Sequence, residues 1–281
     1  AGGSDVFIAK YTADGDLLWA KQLGGNGDDA GYGLTVDGDG NVYVTGGFDG
    51  SDPVDFDPGA DTDMKSGSGN ENAFVLKLDT AGEYLWSATF NGDDGDDDII
   101  AHDLAVDASG NVFVGGGFWG TADFDPLWGV VAPIASNGDE DAFLAKLDST
   151  GRVTWVKTFG GAREEAIWAL DIDSGGNIVT TGYFQSFVDF DPGAGSSFMV
   201  GGGGYDAFVS KFDADGLYQW STSVTNADNN FGWDVVVDSN DNIIFSGSFE
   251  DTADFDPGAG VANLTSSGGS DAFVAKLDST G

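Results

Sequence analysis

The chain has 281 residues, with 48 acidic side chains against 10 basic ones, a net charge of −38 and no cysteine. The missing cysteine excludes disulfides, thiolate metal sites and a cysteine nucleophile. The charge excludes nucleic acid and anionic lipid as natural partners and favours cations. No stretch approaches the roughly 18 apolar residues of a membrane span, so we expect no membrane insertion, whereas 21 Phe, 8 Trp and 7 Tyr can supply a substantial core.

A short apolar segment recurs along the whole chain at intervals of 65 to 69 residues. It reads DVFIAK at Asp5, NAFVLK at Asn72, DAFLAK at Asp141, DAFVSK at Asp206 and DAFVAK at Asp271. A fixed period of this kind indicates a repeat architecture. We therefore predict a single repeat array over 1–281, with units at about 5–71, 72–140, 141–205 and 206–270 and a partial fifth unit at 271–281.

Each unit contains four strand signals, here called A to D in chain order. In the first full copy they are YGLTVD (32–37), VYVTGGF (42–48), AFVLKLD (73–79) and YLWSATF (84–90). The A–B and C–D links are short and rich in Asp, Asn and Gly, as tight hairpins require. Four antiparallel strands per repeat predict an all-β fold, a β-propeller or an open propeller segment with about four blades.

The order of residues resembles the SBBP repeats, a family of bacterial β-propeller repeats. The resemblance rests on LLWAKQLGGNGDDAGYGLTVDGDGNVYVTG (17–46), DAFVAKLDSTG (271–281) and their copies, and it extends over all four units. It implies the propeller fold and a bacterial protein that is extracellular or located at the cell surface. It says little about a particular activity.

The two longest and most acidic links of each unit, B–C and D–A, are expected on one face of the blades. Antiparallel strands place alternate connections on opposite sides, so these two links share a side and the tight turns share the other. The D–A links include GGNGDDAG (24–31), NGDDGDDD (91–98) and GGAREEA (160–166). Loops on a rigid scaffold commonly carry binding sites, so we expect a strongly electronegative binding face.

Every B–C link contains Asp-Phe-Asp-Pro. The two Asp side chains of an extended segment point the same way and the Phe points opposite, so Phe56, Phe124, Phe190 and Phe255 are expected to anchor the loops. The carboxylates could bind one Ca²⁺ per blade, because calcium prefers oxygen ligands. Equally, the motif could be a turn only, although a turn does not require the first Asp. The second copy has Leu127 in place of Gly and is expected to close differently. The predicted calcium ligands are Asp55, Asp57, Asp123, Asp125, Asp189, Asp191, Asp254 and Asp256.

One position near the start of strand A is aromatic in every copy. These residues are candidates for ligand binding, by stacking on sugar faces at the mouth of a central channel. The alternative, which we favour, is packing between neighbouring blades. The positions are Tyr32, His102, Trp168 and Trp233.

Two further registers are expected to be structural. A lysine in strand C recurs in every copy and is a partner for nearby carboxylates, and a tryptophan in strand D is expected between blades. The lysines are Lys10, Lys77, Lys146, Lys211 and Lys276, and the tryptophans are Trp19, Trp86, Trp155 and Trp220.

These observations predict a non-enzymatic extracellular repeat module, stabilised by calcium, that serves binding or adhesion. A protein or a carbohydrate is the expected partner, and self-association with further repeats or another copy is a second expectation. The alternative function is a structural subunit of a surface layer, sheath or filament. One His, two Arg and the lack of a unique polar cluster that breaks the repeat argue against catalysis.

Overall fold

A computed structural model of the chain describes residues 2–68, 71–93, 97–127, 129, 131–258 and 260–281. Within these ranges the protein is built from β-strands, and none of it forms a helix long and apolar enough to cross a membrane. Two compact units are present and are described separately. Residues 1–114, 118–135 and 146–154 form unit 1, and residues 115–117, 136–145 and 155–281 form unit 2.

Unit 1 opens with an antiparallel pair that corresponds to strands C and D of a repeat. The first complete blade follows, in the antiparallel order A, B, C, D, and a short two-stranded ladder lies inside its B–C loop. The pair is β1 (Val6–Tyr11) and β2 (Leu17–Leu23), the blade is β3 (Asp29–Val36), β4 (Val42–Phe48), β7 (Asn72–Leu78) and β8 (Tyr84–Gly92), and the ladder is β5 (Val54–Asp55) with β6 (Met64–Lys65).

The second blade contains longer B and C strands than the first. The B strand continues past the blade and pairs with the end of β8, where Ala122 faces Gly92 and Asp123 faces Asn91. This main-chain link ties the second blade to the first within unit 1. The four strands are β9 (Ile99–Val106), β10 (Val112–Asp123), β11 (Ile134–Leu147) and β12 (Val153–Phe159).

Unit 2 holds the third blade and the A, B and C strands of the fourth. Both are antiparallel, and the fourth again has a small ladder inside its B–C loop. The third blade is β13 (Ala166–Ile172), β14 (Ile178–Asp189), β15 (Phe198–Phe212) and β16 (Tyr218–Val224). The fourth is β17 (Asn230–Val237), β18 (Ile243–Phe249) and β21 (Asp271–Leu277), and its ladder is β19 (Thr252–Asp254) with β20 (Asn263–Thr265).

The predicted all-β fold and the four strands per blade are confirmed, but the B–C link is more ordered than expected. In the third blade β14 and β15 run on beyond the sheet, pairing Phe187 with Val200 and Asp189 with Phe198. Alternating apolar residues on both arms allow this extension, and the register shift between Gln185 and Phe187 separates it from the blade. Asp-Phe-Asp-Pro therefore lies at the tip of a hairpin rather than in an irregular loop.

The A–B turns are closed by one Asp and one Asn four residues apart. Asp37 Oδ1 accepts from the Asp39 and Asn41 amides at 3.0 and 2.9 Å, and Asn41 Nδ2 donates back to Asp37 Oδ2 at 2.8 Å. Gly40 has a φ of +84°, which glycine adopts without strain. The same bonds recur at Asp107, Asp173 and Asp238, so these segments are hairpin turns, as predicted.

Three of the five strand C lysines pair with these turn aspartates, which confirms their structural role. Lys211 lies 2.8 Å from Asp173, Lys276 lies 2.7 Å from Asp238, and Lys77 lies 4.0 Å from Asp37. The other two make different contacts: Lys10 donates to the Thr80 carbonyl oxygen at 3.1 Å, and Lys146 lies over the ring of Phe113 at 5.1 Å.

Candidate functional site

The B–C and D–A loops contact each other in both units. In unit 1 Asn26 Nδ2 donates to Asp52 Oδ2 at 3.0 Å, and the Glu71 amide donates to Asp98 Oδ1 at 3.1 Å. In unit 2 Asn226 Nδ2 donates to the Glu250 carbonyl oxygen at 2.5 Å. The predicted common face is therefore present for these loops. Asp94 and Asp96 of the acidic segment 91–98 lie outside the described residues.

The first Asp of Asp-Phe-Asp-Pro closes the hairpin tip. Asp189 Oδ1 accepts from the Asp191 amide at 3.1 Å and from the Ser197 amide, eight residues on, at 2.7 Å. Asp55 and Asp254 accept from the same two positions in their own loops. One carboxylate oxygen thus joins the two arms. The expectation that the turn does not need the first Asp is wrong, because sequence spacing alone does not show the donor on the opposite arm.

The second Asp shapes the turn itself, and the Phe between the two fills the core. Asp191 Oδ1 accepts from the Gly193 amide at 2.8 Å, and Asp57 and Asp256 do the same in their loops. Phe190 is fully buried, with its ring 5.4 Å from that of Phe184 and 5.0 Å from that of Phe208. Phe56 and Phe124 are buried and Phe255 is half-buried, so the predicted anchoring is confirmed.

The second copy of the motif closes differently, as its sequence predicts. Asp123 Oδ1 still accepts from the Asp125 amide at 2.9 Å. Gly129, four residues after Asp125, donates to the backbone carbonyl of Asp125 at 2.9 Å. In the other three loops the glycine two residues after the second Asp donates to its side chain. Leu127, in the place of the glycine, is 55% exposed.

Hydrogen bonds to backbone amides occupy one oxygen of each carboxylate in the three regular loops. Across the described residues, no group of three or more His, Asp or Glu side chains is arranged to hold a metal ion. These contacts give both Asp residues a role that needs no ion. Calcium at Asp-Phe-Asp-Pro stays a prediction.

The aromatic register of strand A makes contacts between neighbouring blades. In unit 1 the rings of Tyr32 and His102 lie 6.0 Å apart, and Tyr32 donates to Glu71 Oε1 at 3.1 Å. Burial lowers the pKa of His102 to about 4, so the imidazole is neutral. In unit 2 Trp168 stacks on Trp233 with centroids 4.2 Å apart and an interplanar angle of 25°. Tyr32 and Trp233 nevertheless stay 51% and 52% exposed.

Unit 2 surrounds this pair with further aromatic rings. Trp168 also stacks on Phe231, with centroids 5.5 Å apart, and meets Tyr183 edge-on at 4.9 Å. Tyr205 packs against Phe231 at 5.1 Å. We call these five residues the aromatic cluster: Trp168, Tyr183, Tyr205, Phe231 and Trp233.

Two glutamates accept hydrogen bonds from the two tyrosines of the aromatic cluster. The Tyr183 hydroxyl donates to Glu140, and the Tyr205 hydroxyl donates to Glu164 at 2.5 Å. Burial raises the pKa of Glu140 to about 8, assisted by the charges of Glu164, Glu165 and Asp141. The sequence-based expectation of no unique polar cluster is wrong here. Glu140 and Tyr183 are 43 residues apart, and the equivalent of Tyr183 is glycine in the first two blades, so no repeat pattern marks the contact.

The aromatic positions of strand A and the Asp-Phe-Asp-Pro loops offer different chemical functions. Flat, half-exposed indole and phenol rings can stack on an apolar face of a ligand, and the Asp-rich hairpin tips are built for loop closure. The fold and the site define a β-propeller-type repeat protein whose long loops contact each other within each unit and which has an aromatic cluster in unit 2.

Comparison with known proteins supports this class. Residues 18–46 match the family model SBBP, described as a beta-propeller repeat, which confirms the resemblance for that repeat. Over 269 residues the chain is 26% identical to an "Uncharacterized WD repeat-containing protein L264" of Acanthamoeba polyphaga mimivirus, covering 85% of this chain and 19% of that protein. Over 182 residues it is 28% identical to the "Regulatory protein FlaEY" of Caulobacter vibrioides, covering 63% of this chain and 18% of that protein. The chain thus spans less than a fifth of the length of each relative.

Proposed function

We propose that this chain is a non-enzymatic binding module of an extracellular or surface-located protein and that it binds carbohydrate through the exposed ring of Trp233, which is stacked on Trp168. The stacked pair carries the proposal. An exposed indole ring is suited to the apolar face of a sugar ring, and Trp233 is fixed by a hydrogen bond from Nε1 to Ser248 Oγ at 3.0 Å. Tyr32 and His102 form the equivalent pair in unit 1.

The comparisons support a binding role in general terms, because one relative carries WD repeats in its name. The net charge of −38 supports a neutral or cationic partner over an anionic one. Non-catalytic function is supported by the geometry of the aromatic cluster. Of the two glutamates bonded to it, Glu140 has the strongly raised pKa and is 1% exposed, so a substrate cannot reach that carboxyl group in this arrangement.

The test is whether the chain binds any of a panel of soluble neutral polysaccharides. Binding is detected by affinity gel electrophoresis and by tryptophan fluorescence. Trp233→Ala should abolish retardation by any polysaccharide that binds the wild type. Phe187→Ala is the matched control, because Phe187 is similarly exposed, at 54%, and lies on the same unit. Equal loss in both variants, or retention in Trp233→Ala, would contradict the assignment of the site.

Self-assembly is a second candidate function, favoured by exposed residues at core positions. Leu34 is 56% exposed, whereas its equivalents Leu104, Leu170 and Val235 are 3% to 4% exposed. Val274 is 74% exposed, and its equivalents Val75, Leu144 and Val209 are at most 1% exposed. Such faces are suited to a second copy that packs as a neighbouring blade does, giving a head-to-tail contact. Sedimentation analysis of Leu34→Ser and Val274→Ser tests it: concentration-dependent oligomers of the wild type should dissociate in both variants.

A further inference from the structure

Buried carboxylates meet where strand D leads into the next strand A. Asp29, at the start of β3, is 2% exposed and accepts from the Gly25 amide through Oδ2 at 2.7 Å. Asp5, just before β1, uses Oδ2 to accept from Gln22 at 2.6 Å. In the described part of the chain, the Oδ1 atoms of both residues are buried and have no hydrogen-bond partner. Such oxygens are costly to bury unless something binds them.

Unit 2 repeats the arrangement. Asp141 and Glu165 are each 0% exposed, and Glu165 Oε2 accepts from the Gly161 amide at 2.7 Å, as Asp29 does from Gly25. Asp141 Oδ2 accepts from the Asn137 amide at 3.0 Å. Its Oδ1 atom is buried and has no hydrogen-bond partner among the residues that the structure describes.

A glycine allows a carboxylate to approach the main chain closely at each of these pairs. A Cβ on Gly24 would overlap Asp5 Oδ1 and lie 3.0 Å from Asp29 Oδ2. A Cβ on Gly160 would overlap Asp141 Oδ1 and lie 2.9 Å from its Oδ2. Gly24 and Gly160 hold the same repeat position, five residues after the strand D tryptophan. The unpartnered Oδ1 atoms of Asp5 and Asp141 therefore lie against these glycines, in the place that a side chain would take.

The other two copies of this position differ in charge, although the side chains of Asn72, Asn91 and Asn230 there also have buried atoms without a hydrogen-bond partner among the described residues. Asn91 replaces the glycine in one, where the acidic positions are Asn72 and Ile99. Thr225 replaces it in the other, where Asp206 meets Asn230, whose Nδ2 donates to Asn226 Oδ1 at 2.9 Å. Two acids thus occur only in the copies with glycine, and a larger residue accompanies one acid or none.

In the two copies that have the glycine, each carboxyl group at the start of strand A has a raised pKa. Burial raises the pKa of Asp29, and the charge of Asp5 contributes in the same direction. Burial raises the pKa of Glu165 to about 7, again with a contribution from its partner, Asp141. Two neighbouring buried carboxylates are stable together only when a proton or a cation offsets their repulsion.

We propose that Ca²⁺ binds at two sites, beside Gly24 and beside Gly160, each held by one carboxylate that precedes strand C and one at the start of the next strand A. Calcium accepts irregular sets of oxygen ligands, whereas Mg²⁺ demands near-octahedral geometry. A charge of −2 from each pair matches a divalent ion. Two carboxylates are fewer than the six to eight oxygens that calcium takes, so backbone carbonyls and water must complete each site.

The experiment is equilibrium dialysis of the chelator-treated chain with ⁴⁵Ca²⁺, which should give two bound ions. The double variants Asp5→Asn with Asp29→Asn, and Asp141→Asn with Glu165→Gln, should each lower the number to one and weaken the altered site more than tenfold. The remaining site in the other unit reports that the protein is folded. Gly160→Ala, which keeps every carboxylate, should also remove one ion by displacing the Asp141 side chain.

The control variants are Asp206→Asn, which alters a copy with a single acid, and Asp254→Asn with Asp256→Asn, which alters an Asp-Phe-Asp-Pro loop. Both should still bind two ions. Absence of Ca²⁺ binding by the wild type would overturn the proposal and leave the pairs as proton-sharing groups. The proposal would also be overturned if the Asp254 and Asp256 double variant lost an ion while Gly160→Ala still bound two.

Discussion

The indole of Trp86 lies on the C–D turn of the following blade, where its Nε1 donates to the Ser149 carbonyl oxygen at 3.1 Å. A Cβ on Gly151 in that turn would come within 2.7 Å of the ring. The same contact joins Trp19 to Gly82, Trp155 to Gly216 and Trp220 to Gly281. The predicted inter-blade role of the strand D tryptophan is therefore confirmed in its detail: each indole packs on a glycine of the next repeat.

Gly151→Ala should destabilise the protein through two separate effects. The φ of +83° disfavours an L side chain by about 1–2 kcal/mol, and the new methyl group collides with Trp86. Gly15 is the matched control, because it has a φ of +89° in the equivalent turn and nothing within 4 Å of a Cβ. In urea unfolding, Gly151→Ala should lose clearly more free energy than Gly15→Ala. Equal losses would show that the tryptophan contact does not constrain the turn.

Asp189→Ala tests the role of the first Asp in the hairpin tip. The substitution leaves the Asp191 and Ser197 amides without their acceptor and should cost about 1–3 kcal/mol. Asp189→Asn keeps an oxygen for both amides and should cost much less. Both results should be the same with EDTA and with Ca²⁺ if hydrogen bonds account for the residue. A large loss in Asp189→Asn that appears only with Ca²⁺ would instead establish the predicted metal site at this loop.

Two lysines at the same repeat position differ in burial, so their substitution should lower the free energy of unfolding by different amounts. The side chains of Lys211 and Asp173 are 8% and 5% exposed, whereas Lys276 is 54% exposed. Lys211→Met strands a buried carboxylate and should cost about 3–5 kcal/mol. Lys276→Met removes an exposed pair and should cost at most about 1 kcal/mol. Thermal or urea unfolding of the two variants gives the comparison, and similar losses would contradict the assigned role of burial.

The sequence predicted the elements that depend on local pattern and missed those that depend on register. Alternating apolar residues and Asp-Gly turns are properties of short segments, so β3, β4, β7 and β8 agree closely with their predicted ranges. The bond from Ser197 to Asp189 and the contact between Tyr183 and Glu140 depend on which residues face each other across strands. Nothing in the spacing of those residues encodes that pairing.

The buried carboxylate pairs could have been found from the sequence, because the four repeat copies differ at these positions. Aligning the four copies shows Gly24 and Gly160 with two acids each, and Asn91 and Thr225 with fewer. We predicted metal binding at the Asp-Phe-Asp-Pro motif because this motif recurs in every copy. Variation among copies, rather than recurrence, marks the positions where the structure leaves carboxylate oxygens unpartnered.

The buried glutamate of the aromatic cluster should make stability depend on pH. Glu140 has an ordinary pKa of 4.5, and burial raises it to about 8 in the folded chain. Above about pH 5 the unfolded chain releases this proton while the folded chain keeps it, so stability must fall as pH rises and level off above about pH 8. The groups that face it, Glu164, Glu165, Asp141 and Tyr183, are acidic or neutral, and none offsets the charge.

Glu140→Gln isolates this effect, since the amide oxygen still accepts from Tyr183 and carries no proton to lose. Urea midpoints measured from about pH 5 to pH 8.5 in EDTA should fall steeply for the wild type and less steeply for the variant. Some slope should remain in the variant, because Glu165 also has a pKa raised to about 7 by burial. Glu83→Gln, at a carboxyl whose side chain is 64% exposed, should keep the wild-type slope. If Glu140→Gln keeps it too, the buried carboxyl is not the source, since the variant differs from the wild type only in the group that titrates.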